Sequence, residues 1–344
     1  MGSMDHWHPV LNARDLGPEP VGTTLNNTEI VLFRTQDGRI GALNDECPHR
    51  RMRLSKGKVV DARLQCPYHG WTFSIEGAGE SPGTPKLYAS HTCYDVKEAH
   101  GAIWLKAASA EASFPEFEVE EFAYACTTRH IAPAPLEVVL DNFTEVEHTS
   151  TTHLLLGYDL AGMAQVETRI EATDDAVYVY NEGPQKRVSP FFRLLMGFKP
   201  GDFFVDEWTT RFSPVHARYD QWWFESKSRQ ARRDRLRIYV FFNPIDADRT
   251  ELVTFVFIRS RFGTGPILQT LVSPILKKLV NVEVGLDVAM LGQLADKRPG
   301  IEGMRLSRFD KVLGLHRKRI DAIYRGMGPL DTVSPAVEPH SAHG

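Results

Sequence analysis

The chain has 344 residues with a formal net charge of −4 at pH 7, and 42% of its residues are hydrophobic, 24% charged and 10% aromatic. That length holds one large domain or two ordinary ones around a real core, and the near-neutral balance excludes a general nucleic-acid binder. No apolar run is long enough to span a bilayer and no secretory signal opens the chain, so a cytoplasmic protein with no membrane segment is expected.

Met1-Gly2-Ser3 ahead of Met4 reads as an appended leader, with Met4 as the natural start. From Trp7 to about Leu105 the sequence predicts short strands broken by turns. Ile30-Val-Leu-Phe33 and Ile40-Gly-Ala-Leu43 flank a turn at Gln36-Asp-Gly38, a hairpin pattern. Val59-Val60, Leu64-Gln65, Trp71-Thr-Phe73 and Ala102-Ile-Trp-Leu105 continue it, and no helical period appears. The Ala/Ser/Glu-rich segment Ala107 to Pro115 reads as a linker.

Beyond it, Pro133 and Pro135 lead into a helix. Leu136, Val139, Leu140 and Phe143 form its apolar face at i, i+3, i+4 and i+7, with Asn142, Glu145 and His148 on another face. Strands are expected at 176–180, 219–224, 236–242 and 251–258, the last two paired across Asp246-Ala-Asp248, which argues an antiparallel sheet. Ser273-Pro274 reads as a helix start, Ser as N-cap and Pro at the first helical position, with the helix running to about Lys297 and stopped by Pro299-Gly300. A shorter helix is expected within 307–325. The tail from 329 to 344 lacks periodicity and reads as disordered.

Two motifs carry chemistry. Cys47-Pro48-His49 and Cys66-Pro67-Tyr68-His69 form a C-x-H and a C-x-x-H pair. Each offers one thiolate and one imidazole, as a Rieske-type [2Fe-2S] cluster requires, with both cysteines on one iron and both histidines on the other. Zinc also accepts two Cys and two His. The two Cys-Pro loops, Gly70-Trp71 after the second, and strands on both sides favour the cluster. In a chain without an export signal the spacing also favours metal over a disulfide. The second motif is Leu140-Asp-Asn-Phe-Thr-Glu145-Val-Glu-His148-Thr-Ser-Thr-Thr-His153. Its two histidines beside carboxylates suggest iron held by two imidazoles and one carboxylate. Five residues rotate an ideal helix by about 500°, about 140° net, so His148 and His153 share a site only if the helix ends or bulges within Thr149-Ser-Thr-Thr152, a run of weak helix formers.

Together these motifs resemble the Rieske-type non-haem iron oxygenases over nearly the whole chain. The length most resembles the monooxygenase and O- or N-demethylase branch that includes vanillate and dicamba demethylases. The resemblance implies an α+β protein: an N-terminal all-β Rieske domain (4–115), then a helix-grip-like catalytic domain (116–328) with an antiparallel sheet and flanking helices. It implies His148 and His153 as ligands of a mononuclear Fe(II). Asp287, in Leu286-Asp-Val-Ala-Met-Leu291-Gly-Gln293, is the third, with Glu283 one turn earlier as the alternative. Glu145 stands where most relatives carry aspartate as the electron bridge from His69 of one subunit to His148 of the next, and Asn142 where they carry an amide near the iron. A homotrimer follows from that bridge. One methylene more than aspartate leaves room for a shifted or indirect path.

Basic residues follow the first cluster loop (Arg50, Arg51, Arg53, Lys56, Lys58) and recur from Lys227 to Arg237. A docking face for an acidic ferredoxin or a flavin reductase is one reading, solvated loop and strand charges the other. No G-x-G-x-x-G is present, so NAD(P)H is expected to act only through that separate reductase. Cys93 and Cys126 read as packing residues. Phe191-Phe-Arg-Leu-Leu-Met196, Phe203-Phe204 and Trp222-Trp223 are candidates for an apolar pocket or for plain core.

The expected activity is a terminal oxygenase that activates O2 for monooxygenation, as hydroxylation or oxidative demethylation, of a small aromatic or apolar substrate. A ring cis-dihydroxylase is the nearest rival enzyme, and a Rieske electron carrier without chemistry of its own the rival from another class. A binding protein with an inactive iron site is the third.

Overall fold

The computed structural model describes residues 2–260 and 266–328, with the side chains of 266–270 excepted. The tail expected to be disordered lies outside the described residues.

The N-terminal third is all β, held in three small antiparallel sheets. Strands Val21–Leu25, Thr28–Arg34 and Ile40–Asn44 form one. Five short strands from Lys58–Val60 to Tyr88–Ser90 form the second, and His8–Asn12, Ala102–Ala107 and Tyr94–Ala99 the third. Val31, Phe33, Leu43, Leu64, Trp71 and Phe73 bury one core behind the two cysteine motifs.

The rest of the chain is built on one seven-stranded antiparallel sheet. Its order is Ala123–Ala132, Thr250–Arg259, Ala231–Pro244, Val215–Glu225, Asp202–Phe212, Ala176–Pro184, Glu167–Ala172. Side chains alternate across a strand, and both faces of this sheet are used. Asp206 and Trp208, Tyr219 and Gln221, Leu236 to Val240 at every second residue, and Thr254 all line a cavity on the inner face. On the outer face Tyr239, Phe241, Phe255 and Phe257 pack against Trp104 and Phe117 of the preceding segment. Burying aromatic side chains of this size contributes roughly 1.5–3 kcal/mol each, so this contact fixes the N-terminal unit on the sheet. His8 Nδ1, 2.9 Å from Asn243 Oδ1, and Arg129 Nη2, donating at 2.8 Å to Val10 O, add polar ties.

Among the described residues four α-helices complete the fold: α1 Leu136–Phe143, α2 Pro190–Met196, α3 Pro266–Gln293 and α4 Val312–Arg319, the last continued by a π turn at Ile320–Tyr324. The chain does not begin a helix at Ser273-Pro274. Pro274 lies inside α3, and the helix stops at Gln293 rather than near Lys297. A serine–proline pair marks a helix start only where the preceding residues are not already helical. The helix expected through Glu145 and His148 is likewise shorter. It ends at Phe143, and a 3-10 turn at Glu147–Ser150 follows. Thr144 causes the stop locally: its Oγ1 donates to Leu140 O at 2.6 Å, a side-chain bond that competes with helix continuation. Tyr219 supplies the tertiary part, because its hydroxyl donates to Phe143 O.

Among the described residues no helix is long and apolar enough to cross a membrane.

Candidate metal centres and the adjoining cavity

The two cysteine motifs fold as conformational twins. Cys47 N–H donates to Met52 O at 2.8 Å, and Cys66 N–H to Trp71 O at 2.7 Å. Four residues after each cysteine, Arg51 N–H and Gly70 N–H donate back to the carbonyls of Cys47 and Cys66 at 2.8 and 3.2 Å. Both of these residues take left-handed backbone, φ 59° and 69°, which glycine adopts freely and arginine only when the loop holds it there. The cysteines are buried and unpaired, while His49 and His69 stand at the surface with ring centroids 4.6 Å apart. Burial pushes the Cys47 thiol up to about 11. Among the described residues, no three ligand atoms of these four side chains lie within 4.8 Å of one another. One zinc ion gathers its ligands about 2.0–2.3 Å from a common point. A two-iron cluster takes its thiolates and imidazoles on separate metals, and the wider spacing suits it.

His148, His153 and Asp287 do converge, each offering an atom within 4.8 Å of the others. Asp287 Oδ1 lies 2.9 Å from His153 Nε2 and 3.3 Å from His148 Nε2. Ligands about 2.1 Å from one metal and at right angles are about 3 Å apart, so these separations suit two imidazoles and a carboxylate on one face of an octahedral ion. Asn142 Nδ2 donates to the same Oδ1 at 3.1 Å.

Behind each imidazole stands another carboxylate. Glu145 Oε1 meets His148 Nδ1, and the Glu145 carboxylate also accepts the backbone N–H of Glu147 and of His148. Glu283, the alternative third ligand, lies outside the converging set, its Oε2 3.5 Å from His153 Nδ1. Such partners orient ligating histidines and raise their basicity. Burial pulls the His148 imidazole down, yet Asp287 and Glu145 outweigh it and push it up to about 9. Burial pushes the Asp287 carboxyl up, and the two imidazoles reverse this to leave it below the usual carboxylate range. A buried site with this much negative charge suits a cation.

The loop carrying both histidines is pinned from two sides. Glu283 accepts the N–H of Leu154 and Leu155 at 3.1 and 3.4 Å. From the other side Lys186 Nζ donates to Thr149 O at 2.6 Å and His153 O at 2.7 Å. No spacing rule points to Lys186. Gly157 closes the loop at φ 106°, where a Cβ would stand 2.3 Å from Thr149 Oγ1.

Next to the three-ligand set is a cavity of about 120 Å³. Of the candidate apolar residues, Phe192 and Met196 line it, whereas Phe204 and Trp223 are buried in the core and Trp222 bonds Glu207 on the outer face. The second basic run is paired across the sheet: Arg229 with Glu182, Arg232 with Asp202, Arg237 with Asp220. These arginines are thus held in ion pairs with carboxylates of the sheet, two of which, Glu182 and Asp202, are buried.

The fold and these two sites define an iron-dependent oxygenase architecture, and sequence comparison places the chain in it. Residues 6–94 match the Rieske [2Fe-2S] domain family, and residues 132–291 the vanillate O-demethylase oxygenase C-terminal domain family. The chain belongs to the Rieske non-haem iron oxygenases, in the branch that contains demethylases and monooxygenases. The vanillate O-demethylase oxygenase subunit of Pseudomonas sp. (strain HR199 / DSM 7063) is 28% identical over 221 residues, covering 60% of this chain and 62% of that one. Methylxanthine N1-demethylase NdmA of Pseudomonas putida is 31% identical over 166 residues, 43% of this chain and 46% of that one. The chloroplastic protein TIC 55 of Arabidopsis thaliana is 31% identical over 164 residues, but only 30% of its length is covered. The chain thus spans from about a third to three-fifths of these relatives. Dicamba monooxygenase shares the fold, with a TM-score of 0.78 at 17% identity over 94% of this chain and 97% of that one. The family uses a [2Fe-2S] cluster, mononuclear Fe(II) and external electron donors.

Proposed function

We propose that this chain is the terminal oxygenase component of a Rieske monooxygenase system. Cys47, His49, Cys66 and His69 hold the [2Fe-2S] cluster, and His148, His153 and Asp287 the mononuclear Fe(II). Residues 4–115 and 116–328 are the corresponding units. The cluster supplies one-electron transfer and the mononuclear iron supplies dioxygen activation when bound. Monooxygenation consumes one O2, two electrons and two protons; one oxygen atom enters the substrate and the other leaves as water. The observation that carries this reading is the convergence of two imidazoles and one carboxylate beside an apolar cavity, in a chain that also has the twin cysteine loops.

The remaining roles belong to protein groups. Glu145 holds the Nδ1 proton of His148 and fixes its tautomer, while Glu283 places negative charge behind His153 and holds its loop. Asn142 keeps Asp287 oriented. The apolar walls exclude water from the reacting centre. We also assign Glu145 the bridge to His69 of a neighbouring subunit, and hence a homotrimer working in the cytoplasm with a ferredoxin or flavin reductase. The Glu145 carboxylate already rests on His148, which supports the half of the bridge within one chain.

Iron analysis and oxygen uptake test this together. Three irons per chain and uptake stimulated by a substrate, with a surrogate reductase, are expected; two irons and no uptake would leave an electron carrier. Labelled dioxygen separates the rival enzyme, because a cis-dihydroxylase puts both atoms into one product.

A further inference from the structure

The cavity has a polar wall with no role in holding metal. Asp206 and Gln221 are cross-strand partners on the inner face of the sheet, and Gln221 Nε2 donates to Asp206 Oδ1 at 3.1 Å. Three other polar atoms lining the cavity have no partner in the protein: Trp208 Nε1, Gln221 Oε1 and Thr254 Oγ1. Their residues are 2%, 7% and 1% exposed. A buried polar atom without a partner costs about 1–3 kcal/mol, so these atoms favour a ligand that hydrogen-bonds them.

The charge of the lining falls into two groups. Glu145, Glu283 and Asp287 face the imidazoles of His148 and His153 on the metal side, whereas Asp206 pairs with Gln221 and, among the described residues, no lysine or arginine lines the cavity. Lys186 sits close by, but its ammonium is committed to the carbonyls of Thr149 and His153. A carboxylate entering here meets Asp206 without a side-chain cation to receive it, and like charges in a desolvated site repel strongly. An ammonium meets the reverse. Burial pushes the Asp206 carboxyl up to about 6, against the opposing bond from Gln221, and a cation beside it offsets that burial.

Resting on the reading of this cavity as the oxygenase's substrate site, we propose that Asp206 and Gln221 form a recognition subsite for a basic nitrogen. The substrate is an apolar amine rather than an aromatic acid. Asp206 and Gln221 Oε1 accept its N–H groups, and Trp208 Nε1 donates to an oxygen elsewhere on the same molecule. The cavity volume of about 120 Å³ limits the occupant to about one small ring, since roughly 150 Å³ accommodates benzene.

Calorimetric binding of benzylamine, benzyl alcohol and benzoate to the anaerobic, metal-loaded full chain tests this without turnover. The amine is expected to bind at least about tenfold more tightly than benzoate, the worth of one charge-assisted hydrogen bond. Asp206→Asn is expected to abolish its advantage over the alcohol while iron content stays unchanged. Benzoate binding as tightly as the amine, no binding by any of the three, or an amine preference surviving in a folded D206N protein would overturn the proposal. Should D206N fail to fold, the wild-type series decides alone. An amine that binds with this preference yet never stimulates oxygen uptake overturns the oxygenase reading instead and leaves the subsite standing.

Discussion

Asp287 and His153 lie 134 residues apart in sequence, yet Oδ1 of one is 2.9 Å from Nε2 of the other. Helix α3 delivers the carboxylate, and a loop pinned by Glu283 and Lys186 delivers the imidazole. Replacing Asp287 with alanine removes the group that both imidazoles face. Iron is expected to fall from three to two per chain, with the visible spectrum of the cluster unchanged. Retention of the third iron would show that Asp287 is not a ligand.

Glu145 is expected to affect rate more than metal content. In Glu145→Gln the carboxylate behind His148 becomes an amide, which no longer favours the orienting proton. Second-layer partners of this kind are worth about 10–100-fold in affinity or activity. Substrate-dependent oxygen uptake is expected to fall by about that factor while most of the iron is retained, and Glu145→Asp to recover part of it. Rapid-mixing absorbance of the cluster checks this, because reduced cluster should persist longer in Glu145→Gln.

Lys186 ties two carbonyls of the histidine loop from a buried position. Lys186→Met keeps most of the volume and removes both donors. An unsatisfied buried acceptor costs about 1–3 kcal/mol, so the denaturation midpoint should fall by the equivalent of that range. Loosened placement of His153 should also weaken iron retention during dialysis against a chelator. Unchanged values for both would reduce Lys186 to a bystander.

Acid should destabilise the fold before carboxylates titrate widely. Burial depresses His8 and His216 to about 4 and His316 to about 3. In the unfolded chain these residues protonate near 6.5, so between that pH and about 4 the unfolded state binds more protons. Their contribution is therefore complete above pH 6.5 and is lost as pH falls through the window. The loss is about 1.4 kcal/mol per pH unit for each histidine. Urea midpoints at pH 7.5, 6 and 5 should fall progressively; a flat profile would contradict neutral burial.

Much of the architecture was legible before any coordinates. Alternating apolar runs such as Leu236-Arg-Ile-Tyr-Val-Phe-Phe242 announce strands because side chains alternate across a pleat, and that period is local. The cysteine motifs were legible as tight loops because each places its cysteine and histidine within a few residues. Helix ends were harder to read. Ser273-Pro274 has the chemistry of a start yet lies about two turns inside α3, while α1 stops early because Thr144 bonds back to Leu140 O and Tyr219, from a distant strand, caps Phe143 O.

The same division holds at the metal centre. Five residues of unbroken helix would turn the two imidazoles apart, so a break was legible in the sequence, but it was placed at 149–152, whereas α1 already ends at Phe143. Only the tertiary structure set Glu283 Oε2 3.5 Å from His153 Nδ1, and only it brought Lys186, Asp206 and Gln221 to the site. Those roles depend on which strand faces which helix across the cavity. That pairing is a long-range packing outcome, and no local spacing encodes it.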